Sequence, residues 1–237
     1  MNKIELYERK DMMLHDAFER IIVEIHLKKQ NFGYKTFVFT GCNANAGTTT
    51  VSINLAIAMA KAGWKTILLD CDMRKIREYK RLNEKSELGK GLEEFLADKC
   101  SINDIVYETN QNNLSYIPSN GKNTEVINKL CSIQMAKLLK ELNEKYDYII
   151  LDFPAVTSAI DANIIAGKAD ACILIAAMEE TKKKQLNEAY NSLQQAGANV
   201  IGTILNKVPK KEYKLCVQDY DYYKMKKYMG KEKKKGN

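Results

Sequence analysis

Short apolar runs alternate along the chain with longer stretches of helical spacing. Thr36–Thr40, Thr66–Asp70, Leu114–Ile117, Tyr148–Asp152, Ala171–Ala176 and Ile201–Asn206 are rich in β-branched and aromatic residues and too short for helices, so they are predicted as strands. Residues 11–29 place Leu14, Phe18, Ile21, Ile22 and Ile25 on one helical face. A helix from Thr49 to Ala62 is apolar nearly all round, as suits burial against a sheet, and Gly63 stops it. Further helices are predicted over Gly91–Leu96, over Ser101–Val106 with Ser101 as N-cap, over Glu125–Lys145, and from Thr181 to Ala196 ahead of Gly197. Residues 74–90 are charged and aperiodic and read as surface loop, and Pro118–Gly121 reads as a turn. Strands alternating with helices predict a right-handed, doubly wound, mainly parallel α/β sheet.

The segment between the first strand and the Thr49 helix is made of small residues, Gly41-Cys42-Asn43-Ala44-Asn45-Ala46-Gly47, followed by Thr48, Thr49 and Thr50. A small-residue loop feeding a helix start suits an anion. The first N–H groups of a helix lack internal partners, the helix dipole adds positive potential, and small side chains let the backbone approach the ligand. The G-x-x-x-x-G-K-[ST] pattern is met only in part. Gly47 and Thr49 fit, but Thr48 stands at the lysine and Cys42 at the first glycine. Taken alone, the loop reads equally as a tight βα connection without a ligand.

Carboxylates at strand ends favour the ligand. The strand ending at Asp70 continues as Cys71-Asp72-Met73-Arg74-Lys75, and the later strand ends at Asp152 before Phe153-Pro154. Ligands of open parallel sheets bind at the carboxyl ends of strands, so Asp70, Asp72 and Asp152 are expected in one crevice with the Gly47 loop. Such acids suit magnesium or water beside a triphosphate. Asp161, in Ser158-Ala159-Ile160-Asp161-Ala162, a segment similar to one that follows Walker B in a related family, reads on its own as an exposed helix residue, and Asn206 on its own as a turn former.

These segments resemble the bacterial tyrosine kinases (BY-kinases, CpsD/CapB-like), a family of P-loop ATPases. The resemblance is carried by Thr48-Thr49-Thr50 in the Walker A place, by ILLDCDMRK (67–75), by YDYIILDFPAV (146–156), by Asn206 in ILNKV (204–208) and by a tyrosine-rich tail. It covers the chain from about Asp16 to the C-terminus. It implies a P-loop NTPase fold of the MinD/ParA-like type, with a kinase domain over residues 1–209 and a tail over 210–237. It also implies a cytoplasmic protein-tyrosine autokinase that uses ATP and Mg2+ and regulates capsule or exopolysaccharide synthesis with a membrane adaptor of the polysaccharide co-polymerase type. Backbone N–H groups of Ala46, Gly47, Thr48 and Thr49, with Thr50 beside them, would hold phosphates. Thr49 and Asp152 would position magnesium, and Asp70 or Asp72 would take the tyrosine proton. Asn206 would read the adenine edge, and Arg74 and Lys75 would meet phosphate or a partner. The family's assembly motif, one Glu and two Arg, is matched loosely by Asp16, Ala17 and Phe18, with Glu19 and Ile22 at the arginine positions. The expectation is therefore a helix that docks on the sheet, in a monomer or small homo-oligomer. Two other readings stay open: a pseudokinase scaffold, suggested by Thr48, and a MinD- or ParA-like positioning ATPase.

Composition changes the picture at one end only. The chain has 237 residues, 45% hydrophobic, enough for one α/β core. Six scattered cysteines without a C-x-x-C pair suit a reducing compartment and disfavour an iron–sulfur carrier. The polar Met1–Lys10 argues against a signal peptide, and no run of eighteen apolar residues predicts a membrane span. His15 and His26 have no metal-ligand spacing. Residues 210–237 hold ten Lys against four acids, a balance of +6 out of the chain's +7, together with Tyr213, Tyr220, Tyr222, Tyr223 and Tyr228. This tail reads as disordered. Each phosphotyrosine adds about −1.5 to −2 charge, so a few would cancel the basic balance, and the clustering favours a multisite phosphoacceptor. The alternative is a solvating basic tail or a peripheral contact with anionic lipid; no nucleic-acid partner is expected.

Overall fold

The computed structural model describes residues 3–6, 8, 12–75, 89–121 and 125–216. Up to Asn206 these form one compact unit, and a second unit begins at Lys207. The sheet of the first unit contains, in chain order, β1 (Lys3–Ile4), β2 (Thr36–Gly41), β3 (Thr66–Asp70), β4 (Tyr107–Thr109), β5 (Leu114–Ile117), β6 (Tyr148–Asp152), β7 (Ala171–Ala177) and β8 (Val200–Asn206). Their spatial order is β1-β4-β5-β3-β6-β2-β7-β8. All neighbouring strands are parallel except β4 and β5, which form an antiparallel pair with Tyr107 opposite Tyr116. The α/β, doubly wound, mainly parallel architecture expected from the sequence is present.

Burial follows from the central position of β2, β3, β6 and β7, every residue of which is buried. Parallel strands covered on both faces are apolar throughout rather than alternating, which is why they were legible as short runs. Successive residues still serve opposite faces. Tyr148 and Ile150 join Phe37, Phe39 and Leu55 in one core layer, while Ile149 and Leu151 join Val38, Leu138 and Leu142 in the other.

The helices are α1 (Met12–Phe32), α2 (Thr48–Lys61), α3 (Leu92–Leu96), α4 (Val126–Leu130), α5 (Ile133–Lys145), α6 (Asp161–Ala166) and α7 (Lys183–Gln195), with a 3-10 turn over Ile102–Asp104. Helix α2 is buried without interruption from Val51 to Ala60, because the sheet lies beneath it and α1 packs on it from outside. The docking expected of α1 is observed. Ile22 and Ile25 are buried, and His26 stacks on Trp64 with ring centroids 4.4 Å apart. His26 Nδ1 lies 2.6 Å from the Tyr148 hydroxyl, and Lys29 pairs with Asp147 at 3.0 Å. Ile22, at one of the two arginine positions of the assembly motif, is thus part of the core.

Three sequence expectations are corrected. The helix expected over Glu125–Lys145 is two helices. Ser132 interrupts it, accepting the N–H of Met135 through its hydroxyl at 3.3 Å and so capping α5. The segment Ser101–Val106 contains only the 3-10 turn. Strands β1 and β4 were not expected, being two and three residues long with no alternation to betray them. In the second unit, Lys210–Cys216 form a helix, α8, with Tyr213 N donating to Pro209 O at 3.0 Å. The first seven residues of the stretch read as disordered are therefore helical, while Tyr220, Tyr222, Tyr223 and Tyr228 lie outside the described residues. Among the described residues no helix is long and apolar enough to cross a membrane.

Candidate phosphate loop and acidic site

The carboxyl ends of β2, β3, β6, β7 and β8 lie along one edge of the sheet. Asp70 is opposite Asp152, Gly41 opposite Ile175 and Ala177 opposite Asn206. The phosphate loop leaves β2 at this edge. Gly47, the N-cap of α2, has a φ of +91°, which favours glycine, and a Cβ there would collide with Asn206 Nδ2. Asn45 also has a positive φ, +64°, a conformation that asparagine tolerates better than most residues. The first intrahelical bond runs from Val51 N to Gly47 O at 3.0 Å, so the N–H groups of Thr48, Thr49 and Thr50 have no carbonyl partner within the helix. Thr48 folds inward: a Cβ on Gly41 would sit 2.9 Å from its hydroxyl oxygen.

Side chains from three other segments hold the loop. Thr157 donates to Cys42 O at 2.9 Å, Thr181 donates to Asn43 Oδ1 at 2.5 Å, and Asn206 Nδ2 donates to Ala46 O at 2.8 Å. Asn206 is therefore engaged with the loop backbone in this structure. Cys42 is buried, and burial pushes its thiol up to about 11, so it is no nucleophile at neutral pH.

Below the loop the structure brings Asp70 and Asp152 together, while Asp72 lies in the turn that follows and is linked to Asp70 through its backbone N–H. Asp70 and Asp152 are both buried and adjacent on paired strands. Asp152 accepts the hydroxyl of Ser52 at 3.1 Å and that of Thr49. Burial first, and the charge of Asp70 second, push the Asp152 carboxyl up to about 7 against these two hydroxyl bonds. Asp70 Oδ2 accepts the Tyr116 hydroxyl at 3.4 Å, and burial beside Asp70 and Asp152 holds that phenol well above its ordinary range. Asp70 Oδ1 accepts the N–H of Asp72, whose own Oδ1 takes the N–H groups of Arg74 and Lys75 at 3.3 and 3.2 Å. A string of aspartates thus shapes its own turn.

Two expectations change here. Arg74, expected to meet phosphate or a partner, has its guanidinium on Asp161, with two bonds of 2.7 Å. Asp161 is not an exposed helix residue, since it is wholly buried at the start of α6. The sequence reading also passed over Ser52, Tyr116, Thr157 and Thr181. Ser52 was findable, lying three residues after Thr49 on the same helical face. The others carry no motif.

Comparison with known proteins gives the family. A profile described as an AAA domain matches residues 35–207. The tyrosine-protein kinase CpsD of Streptococcus pneumoniae serotype 4 is 34% identical over 174 residues, covering 73% of this chain and 76% of that protein. The chain belongs to the bacterial tyrosine-kinase family of P-loop ATPases. Among solved structures, the kinase domain of the Escherichia coli tyrosine kinase ETK superposes with a TM-score of 0.78 at 25% identity, covering 83% of this chain and 76% of that one. The septum site-determining protein MinD of Pyrococcus horikoshii, complexed with Mg-ADP, shares the fold with a TM-score of 0.60 at 21% identity, over 78% of each chain. Within this bacterial tyrosine-kinase fold, the departure that bears on chemistry is Thr48, where the phosphate-loop pattern has lysine.

The residues present fit a magnesium nucleotide. A buried carboxylate with a raised pKa beside a second carboxylate is a site that a divalent cation would relieve, and the Thr49 hydroxyl already faces it. Among the described residues no cluster of three or more His, Cys, Asp or Glu forms a closed metal cage. Magnesium instead draws on one or two carboxylates, water and substrate phosphates.

Proposed function

We propose that this protein is a cytoplasmic protein-tyrosine kinase that transfers the γ-phosphoryl group of Mg-ATP to tyrosines of its own basic tail and of protein partners. The observation that carries the reading is the juxtaposition of a small-residue loop at the start of α2 with Asp152, bonded to Thr49 and Ser52, and with Asp70 on the next strand. The N–H groups of Gly47, Thr48 and Thr49 hold the phosphates, with Thr50 in the same first turn; that of Ala46, expected among them, donates instead to Asn43 O at 3.2 Å. Thr49 and Asp152 hold magnesium, which when bound neutralises charge on the phosphates. The tyrosine oxygen attacks the γ-phosphorus as its bond to the β-phosphate oxygen breaks, ADP leaves, and Asp70 or Asp72 takes the phenolic proton. Asn206 contacts the adenine edge from its place beside Gly47.

Tyr213, Tyr220, Tyr222, Tyr223 and Tyr228 are the acceptors, presented between neighbouring copies of the chain. A membrane adaptor of the polysaccharide co-polymerase type recruits the kinase to the inner face of the plasma membrane and completes its active state, in the control of capsule or exopolysaccharide synthesis. Incubation of the purified protein with Mg-ATP, with and without the adaptor's cytoplasmic segment, followed by phosphosite mapping, tests this: phosphotyrosine in the tail is expected. Thr48 favours a second reading, a pseudokinase scaffold that binds nucleotide or adaptor without transfer. Nucleotide binding with no phosphotyrosine under either condition selects it.

A further inference from the structure

We propose that Thr181 is a positioning residue for the phosphate loop, fixing Asn43 so that the backbone N–H groups keep the arc on which a loop without lysine depends. The inference rests on the nucleotide reading above and extends it to a residue outside every recognised motif.

Proton accounting fixes the direction of the contact. The Thr181 hydroxyl oxygen accepts the N–H of Ala177 at 2.7 Å, so its single proton is free to donate and goes to Asn43 Oδ1 at 2.5 Å. Asn43 must therefore present its oxygen to Thr181 and its Nδ2 to Ala44 O, 2.9 Å away. Thr181 is itself anchored, since its own N–H donates to Ala177 O at 2.9 Å, and Ala177 is the last residue of β7, paired with Asn206 of β8. The sheet is thus the fixed reference, and Thr181 is the lever that sets Asn43.

The loop needs such a lever. Between Cys42 and Gly47 its main-chain hydrogen bonds to itself include Ala46 N to Asn43 O at 3.2 Å, and Ala44 and Asn45 are exposed. With threonine at position 48, phosphate binding falls to backbone donors, and donors stabilise charge in proportion to how well they are aimed before the ligand arrives. The bond through Asn43 fixes the carbonyl that Ala46 N meets, and Asn206 holds Ala46 from the far side.

The test uses the full chain with Thr181→Val, Thr181→Ser, Asn43→Ala and the Thr181→Val/Asn43→Ala double variant, and has two readouts. Amide hydrogen exchange over residues 42–48 in nucleotide-free protein reads the loop itself, and calorimetric titration with Mg-ADP reads the consequence. Thr181→Val should speed exchange in the loop and weaken Mg-ADP binding about three- to tenfold, the range expected for one hydrogen bond. Thr181→Ser, which keeps the hydroxyl, should restore both, and the double variant should bind no more weakly than Thr181→Val alone. Unchanged loop exchange, a serine variant that behaves like valine, or additive losses in the double variant would each overturn the proposal. Wild-type protein that binds no Mg-ADP would overturn the nucleotide reading, whereas unchanged loop exchange in Thr181→Val, measured without nucleotide, would overturn the role of Thr181 alone.

Discussion

Arg74 and Asp161, 87 residues apart in sequence, meet as a two-pronged ion pair, Nε to Oδ2 and the second guanidinium nitrogen to Oδ1, each at 2.7 Å. Asp161 is completely buried at the first turn of α6, while the Arg74 side chain remains 44% exposed. The pair ties the turn after β3 to the helix that follows the β6 loop. Asp72 hangs from that turn through the N–H groups of Arg74 and Lys75, so the pair also bears on where a candidate proton acceptor points.

Removing the two partners should not be equivalent. Arg74→Ala leaves a buried carboxylate without its cation, a class of change that costs about 3 kcal/mol. Asp161→Ala leaves a guanidinium that reaches water and should cost markedly less. Urea denaturation of the two variants measures the asymmetry, and equal losses would mean that the pair is held by packing rather than by the desolvated charge.

This pair marks where the sequence stops being legible. Strand ends bearing Asp70, Asp72 and Asp152 were readable because buried parallel strands appear as short apolar runs and open sheets collect ligands at one edge. Contacts that depend on tertiary approach left no local signal. Asp161 lies in an ordinary segment, Thr157 and Thr181 look like loop threonines, and the Asn206 amide turned out to hold Ala46 O. Short elements failed for a related reason: three residues in β4 cannot display a period, and only Cys131 and Ser132 divide α4 from α5.

The raised pKa of Asp152 makes a pH prediction with a definite sign. Its carboxyl titrates near 7 in the fold and near 3.8 when unfolded, so the folded protein holds the extra proton between those values. Its contribution is present in full at low pH and is lost as pH rises through about 4 to 7. Asp152→Asn should therefore raise the stability of nucleotide-free protein at pH 8, by on the order of 4 kcal/mol, and do little at pH 4. Thermal melts of both proteins at the two pH values check this; an asparagine variant less stable than wild type at pH 8 contradicts the assignment. Magnesium nucleotide needs the ionised form, so its affinity in the wild type should climb from pH 5 to pH 8.

The tail assignment is testable by substitution outside the first unit, which ends at Asn206. Phe substitution at Tyr213, Tyr220, Tyr222, Tyr223 and Tyr228 together should abolish autophosphorylation and leave nucleotide binding as in the wild type. The motivation is their clustering within a segment of balance +6, which a few phosphates would reverse. Total phosphotyrosine by intact-mass measurement decides it, and an unchanged level places the acceptors elsewhere.

Thr48 offers the most direct experiment on competence. A charge-assisted hydrogen bond contributes about 1.5–3 kcal/mol, or about 10–100-fold in affinity. Loss of one preorganised donor in the transition state costs on the order of 100–1,000-fold in rate. Weak nucleotide binding and very slow transfer are thus the expected starting point, with the backbone donors around Gly47 still in place. The Thr48 hydroxyl packs where Gly41 has no Cβ, so a longer side chain must leave that niche and run outward over the loop. Thr48→Lys changes neither Asp70 nor Asp152, nor the bonds that Thr157, Thr181 and Asn206 make to the loop. Autophosphorylation should rise at least about tenfold, a threshold set below the low end of the transition-state estimate. If folded Thr48→Lys protein supplied with its adaptor shows no gain, then Cys42 and Asn45 shape a loop that does not admit the γ-phosphate even with the lysine restored. The scaffold reading would then replace the kinase.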